Sequence, residues 1–172
     1  MVGLDRVDEI SAKDFALVTP VVNSVASSPN SGLHHVGETV AVTLTTVEGA
    51  VIGTGSALIQ NGGVLEFSAA SSAKVAFGAG HGSFILDSAT NAAFKFIGTI
   101  TGFANGDDID LGAIGFTDGD VNIADQASFS GNTLTVHDNS GHSIGLTFTD
   151  AGLSLSSFQI QNHSGHVDLF HV

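Results

Sequence analysis

From Val18 onward the chain is a succession of short alternating or β-branched runs separated by glycine and asparagine turns, and this pattern decides its fold class. The runs include Val40-Ala-Val-Thr-Leu-Thr-Thr, Val64-Leu-Glu-Phe, Val75-Ala-Phe, Phe84-Ile-Leu, Phe94-Lys-Phe-Ile, Ile109-Asp-Leu, Leu134-Thr-Val, Ile144-Gly-Leu-Thr-Phe, Phe158-Gln-Ile and Val167-Asp-Leu-Phe. Alternate side chains of a strand share one face, so each run presents one apolar face and one polar face. Between them lie Asn61-Gly62-Gly63, Gly78 to Gly82, Asn105-Gly106, Asp118-Gly119 and Ser130-Gly131-Asn132. Glycine and asparagine accept the positive φ that tight turns require. The expectation is an all-β protein.

Between Val64 and Leu111 the strands recur at steps of roughly ten residues, which suits either an antiparallel sandwich or a solenoid whose coils stack on one another. Glycine-rich links and small apolar residues favour tightly stacked coils, with an interior expected to be too narrow for bulky side chains. Leu134–Val136 and Ile144–Phe148, joined through Asp138-Asn-Ser-Gly141, read as an antiparallel hairpin. The fold expected is thus a β-solenoid or β-roll-like stack with antiparallel C-terminal strands.

Charge narrows the partners. Arg6, Lys13, Lys74 and Lys95 are the only Lys and Arg residues against seventeen carboxylates, a formal charge of −13. Binding to nucleic acid depends on Lys and Arg neutralising phosphates, so nucleic acid is excluded as a partner, and anionic membrane surfaces are disfavoured for the same reason. No apolar stretch reaches the roughly eighteen residues of a membrane-spanning helix, so membrane insertion is not expected. Met1 to Ser11 is acidic and does not have the form of a signal peptide. The chain has twelve Phe but no Tyr, Trp or Cys. Its aromatics are therefore core filler without polar handles, and disulfides and thiolate chemistry are ruled out.

Excess carboxylates call for dispersal in solvent or for bound cations. The densest set is Asn105, Asp107, Asp108 and Asp110, with Asp118 and Asp120 a short loop later. Calcium takes six to eight oxygens from carboxylates and carbonyls, which a glycine-bordered acidic turn supplies, and these six residues are the expected calcium ligands. On a strand Asp108 and Asp110 share a face and Asp107 lies opposite. Among the histidines His34, His35, His81, His137, His142, His163, His166 and His171, the pair His163-Ser-Gly-His166 and His137 beside Asp138 have donor types that zinc accepts. None fits a zinc-protease helix motif, and all eight read as strand-end or loop residues that make surface charge respond to mildly acid pH. No Gly-x-Ser-x-Gly stands between a strand and a helix, and the usual aromatic sugar platforms are missing. The chain is read as a non-enzyme with no catalytic residues.

Two segments resemble known families. Val21 to Pro29 with Ser31 to Leu44, which carries Val36-Gly-Glu-Thr-Val40 before a Thr-alternating strand, resembles the opening of immunoglobulin-like repeats in very large secreted bacterial adhesins. Phe96 to Leu111, with Ile100, Phe103, Gly106, Asp108, Ile109, Asp110 and Leu111 in matching order, resembles the segment that closes calcium-binding β-rolls in repeats-in-toxin proteins, serralysin-type proteases among them. The tandem Gly-Gly-x-Gly-x-Asp repeats of a full calcium ladder do not precede it. Val167 to Val172 resembles type I secretion tails.

These resemblances imply export by type I secretion and an extracellular or cell-surface location. They imply a calcium-stabilised structural or adhesive module that faces a cell-surface or matrix target. The alternatives are a subunit that self-associates into a filament or surface layer by strand donation, and the non-catalytic secretion domain of a larger protein. The chain is thus expected to divide into an N-terminal arm or short helix at 1–17, where Leu4, Val7 and Ile10 stand near helical spacing, immunoglobulin-like strands at 18–60, and a solenoid-like domain with a C-terminal cap at 61–172. An immunoglobulin-like β-sandwich is the alternative fold.

Overall fold

A computed structural model describes the strand backbone of residues 9–10, 34–36, 39–47 and 51–52, and both backbone and side chains of 56–68, 70–87, 96–117 and 123–172. Near the N-terminus β1 (Glu9–Ile10), β2 (His34–Val36) and β4 (Val51–Ile52) form a three-stranded parallel sheet. Glu9 and Ile10 are therefore strand; the remainder of the 1–17 arm lies outside the described residues.

The main body is a β-roll. β5 (Ser56–Phe67) contains a corner at Asn61 (φ 55°) and Gly62 (φ 81°), and its two halves join different runs of strands. Ser56 to Ile59 pair in parallel with β6 (Lys74–Phe77), and Val64 to Phe67 pair in parallel with β7 (Ser83–Leu86). The next coil repeats the arrangement, with β8 (Thr99–Thr101) parallel to β6 and β9 (Asp108–Gly115) parallel to β7. Backbone bonds tie the corners together: Asn61 N donates to Ala79 O (3.0 Å) and Gly78 N to Ile59 O (2.7 Å). β3 (Thr39–Val47) lies parallel to both halves of β5. This parallel pairing begins inside the stretch read as immunoglobulin-like, where Val42 pairs with Ile59 and Leu44 with Val64; much of the rest of 18–60 lies outside the described residues.

Antiparallel strands close the C-terminal end. β10 (Ala127–Ser130), β11 (Thr133–His137) and β12 (Ser143–Phe148) form a meander that joins β8 through β12, and the β11–β12 hairpin is the one its turn residues predict. β13 (Phe158–His163) and β14 (His166–His171) form a second hairpin, with β14 antiparallel to β9. Two short helices, α1 (Ile123–Gln126) and a 3-10 turn (Leu155–Ser157), connect these strands.

The interior differs from the expectation of small residues. Phe67, Phe77, Phe84, Phe96, Phe103, Phe148 and Phe158 are all buried. Phe84 meets Phe67 and Phe96 edge to face, each at 5.3 Å between ring centroids, and Phe77 meets Phe103 at 5.2 Å. These edge-on rings pack in the interior of the roll, Phe67 and Phe84 from the neighbouring strands β5 and β7. Each such pair adds about 0.5–1.5 kcal/mol beyond its burial.

Candidate metal sites on the last coil

The corner from β8 to β9 starts at Gly102, whose φ of 73° and close approach to the carbonyl of Phe77 both exclude a side chain. Asp107 N donates to Ala104 O at 3.0 Å, and Asp107 Oδ2 accepts from Ala104 N at 2.9 Å, so the turn is closed from both sides. Asp107 Oδ1 accepts from Gly82 N of the preceding corner at 2.9 Å. The side chain thus links two coils and is 2% exposed. Burial pushes its carboxyl up, opposed by the N–H groups of Ala104 and Gly82. His81 Nδ1 donates to Gly106 O at 2.9 Å on the same corner. Asp150 supports it from below, accepting from Gly102 N (2.8 Å to Oδ2) and Thr101 Oγ1 (3.2 Å).

The outer face of β9 is different. Ile109 and Leu111 point into the core, so Asp108 and Asp110 point out, where β14 brings Asp168 directly opposite Asp110. Ser83 Oγ donates to Asp108 Oδ2 at 2.7 Å. Burial raises the Asp108 carboxyl, and the charges of Asp110 and Asp107 add to the rise against the Ser83 bond. Asp168 is pushed up to about 6, by burial first and then by Asp108 and Asp110, with His163 and His166 opposing. Its Oδ1 is buried and has no hydrogen-bond partner.

Two histidines complete the neighbourhood. His163 Nδ1 lies 3.0 Å from Asp110 Oδ2, and His166 Nε2 lies 2.8 Å from Asp110 Oδ1. The second pair is within reach but misaligned for a hydrogen bond, because His166 Nε2 and Asp110 Oδ1 both remain buried without a hydrogen-bond partner.

Of the six expected ligands, the structure puts Asp108 and Asp110 on one face, Asp107 on the opposite side, and Asn105 at the exposed tip of the corner. Asp118 and Asp120 lie outside the described residues. Asp168, His163 and His166 were not grouped with Asp110 from sequence, since that needs the antiparallel return of β14. The alternation Val167-Asp168-Leu169 is a signal that puts Asp168 on an outer face. Asp138 pairs with His142 (Nδ1 to Oδ2, 2.7 Å) in place of His137.

A family profile described as Peptidase M10 serralysin C terminal matches residues 23–166. No curated protein and no solved structure matches the chain. No described helix is long and apolar enough to cross a membrane.

Proposed function

The chain belongs to the serralysin C-terminal family, the non-catalytic, repeats-in-toxin-type region of type I secreted proteins, and from that premise we propose that it is an extracellular structural module stabilised by calcium. Of the two candidate places for calcium, the corner is the poorer fit. Asp107 already accepts two backbone N–H groups there, and a cation drawing on it would compete with both.

The outer face carries the proposal. Asp168 Oδ1 is buried without a partner, and the carboxylates of Asp108 and Asp110 raise the cost of charging it. A hard cation takes oxygen donors and removes this repulsion. Asp108 and Asp168 would hold the ion, with the Ser83 hydroxyl at hand. Folding then couples to the calcium level outside the cell, because an ion that binds the folded chain stabilises it by RT ln(1 + [L]/Kd), about 2.7 kcal/mol at a hundredfold excess over Kd. Exported in this way, the roll serves as a rigid module presented to a cell-surface or matrix target.

Thermal unfolding in millimolar calcium, in equimolar magnesium and in chelator tests the proposal. Calcium should raise the midpoint above both other conditions, and Asp168→Asn should remove most of the gain. Equal midpoints in calcium and chelator would sink it.

A further inference from the structure

The hairpin that closes the roll carries a second cluster whose donor chemistry is not that of calcium. Ser164 (φ 55°) and Gly165 (φ 95°) form the two-residue turn between β13 and β14, and Gly165 N donates to Asn162 Oδ1 at 2.8 Å. Positive φ at both central residues marks the turn type whose twist matches paired strands. It sets His163 directly across from His166, with their ring centroids 5.1 Å apart. Beside it the ladder to β9 shifts: His166 pairs with Gly115, yet Val167 pairs with Leu111. Such a bulge re-aims side chains, and here both rings reach the same carboxylate.

One donor atom from each of Asp110, His163 and His166 lies within 4.8 Å of the other two. Separations of 2.8 and 3.0 Å from the carboxylate oxygens to the two ring nitrogens are ion-pair distances, a few tenths of an ångström short of the roughly 3.3–3.6 Å between ligands around a tetrahedral ion with bonds of about 2.0–2.2 Å, so a small outward shift of the rings admits the ion. Asp110 is 9% exposed. A second observation is independent of the spacing. Asp110 Oδ1 and His166 Nε2 are buried, adjacent and without a hydrogen-bond partner, although buried polar atoms are nearly always satisfied. A third centre that accepts both lone pairs satisfies them together.

We propose that Asp110, His163 and His166 form a binding site for a borderline divalent transition metal of the zinc class, with a solvent molecule in the fourth position. Imidazole nitrogen suits zinc, nickel or copper and not calcium, so the site is chemically distinct from the oxygen set of Asp108 and Asp168. Asp110 comes from the last coil of the roll and both histidines from the closing hairpin. The ion therefore fastens the C-terminal hairpin to the coil beneath it.

The test is zinc titration of the full chain in saturating calcium, by calorimetry and by competition with a zinc indicator, with cobalt absorption to report tetrahedral geometry. One zinc per chain and a tetrahedral cobalt spectrum are expected. His163→Ala should weaken zinc binding by at least about tenfold, and its metal-free midpoint, measured alongside, gives separately the cost of losing the bond to Asp110. His142→Ala, which removes a different histidine–aspartate pair, should leave zinc binding unchanged. Asp110→Asn gives a second check on the same site and should abolish the cobalt spectrum. Undiminished zinc binding in His163→Ala, displacement of zinc by millimolar calcium, or no zinc binding at all would overturn the proposal. The calcium effect on the midpoint, measured without zinc, stands or falls separately.

Discussion

Replacing Asp107 by alanine separates a structural carboxylate from a calcium ligand. The substitution removes the acceptor for Gly82 N and Ala104 N, two donors at the stacked corners of successive coils. Hydrogen bonds to a charged group contribute about 1.5–3 kcal/mol each, so the two together set a ceiling near 6 kcal/mol. Against this, burial disfavours the Asp107 charge, and its raised pKa shows that desolvation outweighs the two N–H bonds in the charged form. Alanine removes that cost, and a net loss of about 2–3 kcal/mol remains, chiefly from two orphaned N–H groups. For a chain of 172 residues this corresponds to a fall in Tm of about 4–12 °C. Scanning calorimetry of wild type and Asp107→Ala, each in calcium and in chelator, measures it. The two proteins should differ by the same interval in both conditions, because the carboxylate serves the backbone. A loss seen only in calcium, or a difference under about 1 kcal/mol, would refute the reasoning and return Asp107 to the ligand set.

Other expectations follow from the same contacts. Phe84→Ala, at a fully buried ring that meets both Phe67 and Phe96, should cost about 3–5 kcal/mol by equilibrium denaturation. Asp138 is held below the usual carboxylate range: burial would raise it, but hydrogen bonds from His142, Gly115 and Ser140 prevail. Its stabilising effect is present above the unfolded pKa and lost as pH falls through the lower folded value. The deficit of Asp138→Asn against wild type, seen in denaturant titrations at pH 7, should therefore vanish in strong acid. Gly102→Ala should destabilise by more than the ~1 kcal/mol of an ordinary glycine replacement in thermal melts, since the new Cβ meets the Phe77 carbonyl.

The roll was legible in the sequence because its signals are local. Alternation in Val75-Ala-Phe77 and Phe84-Ile-Leu86 marks which side chains enter the core, and the Asn61-Gly62 pair marks a corner. Strand direction was legible where a short turn marks a hairpin, as at Asp138 to Gly141, but not along the coils, where parallel and antiparallel neighbours use the same alternating runs. It is decided by whether the chain advances a full coil before returning, as from Ser56 to Lys74, or turns back at once, as from His163 to His166. The immunoglobulin-like reading at 18–60 rests on a local pattern, Val36-Gly-Glu-Thr-Val40 before a Thr-alternating strand, which carries no strand direction. Interior width was misjudged for a related reason. Composition reveals twelve Phe but not that rings such as Phe67, Phe84 and Phe96 meet edge to face in a buried interior.

The acidic constellation was legible only as far as strand parity carries. Parity separates Asp107 from Asp108 and Asp110, and the structure puts them on opposite faces. What the three carboxylates do depends on groups distant in the chain: Gly82 for Asp107, Ser83 and Asp168 for Asp108, His163 and His166 for Asp110. Asp168 and the two histidines come into place only when β14 docks antiparallel on β9, which requires the closing hairpin to have formed. A cation bound there stabilises the docked hairpin selectively, because the chain before docking offers these donors only as scattered side chains. Ion binding on this face is thus coupled to completion of the fold.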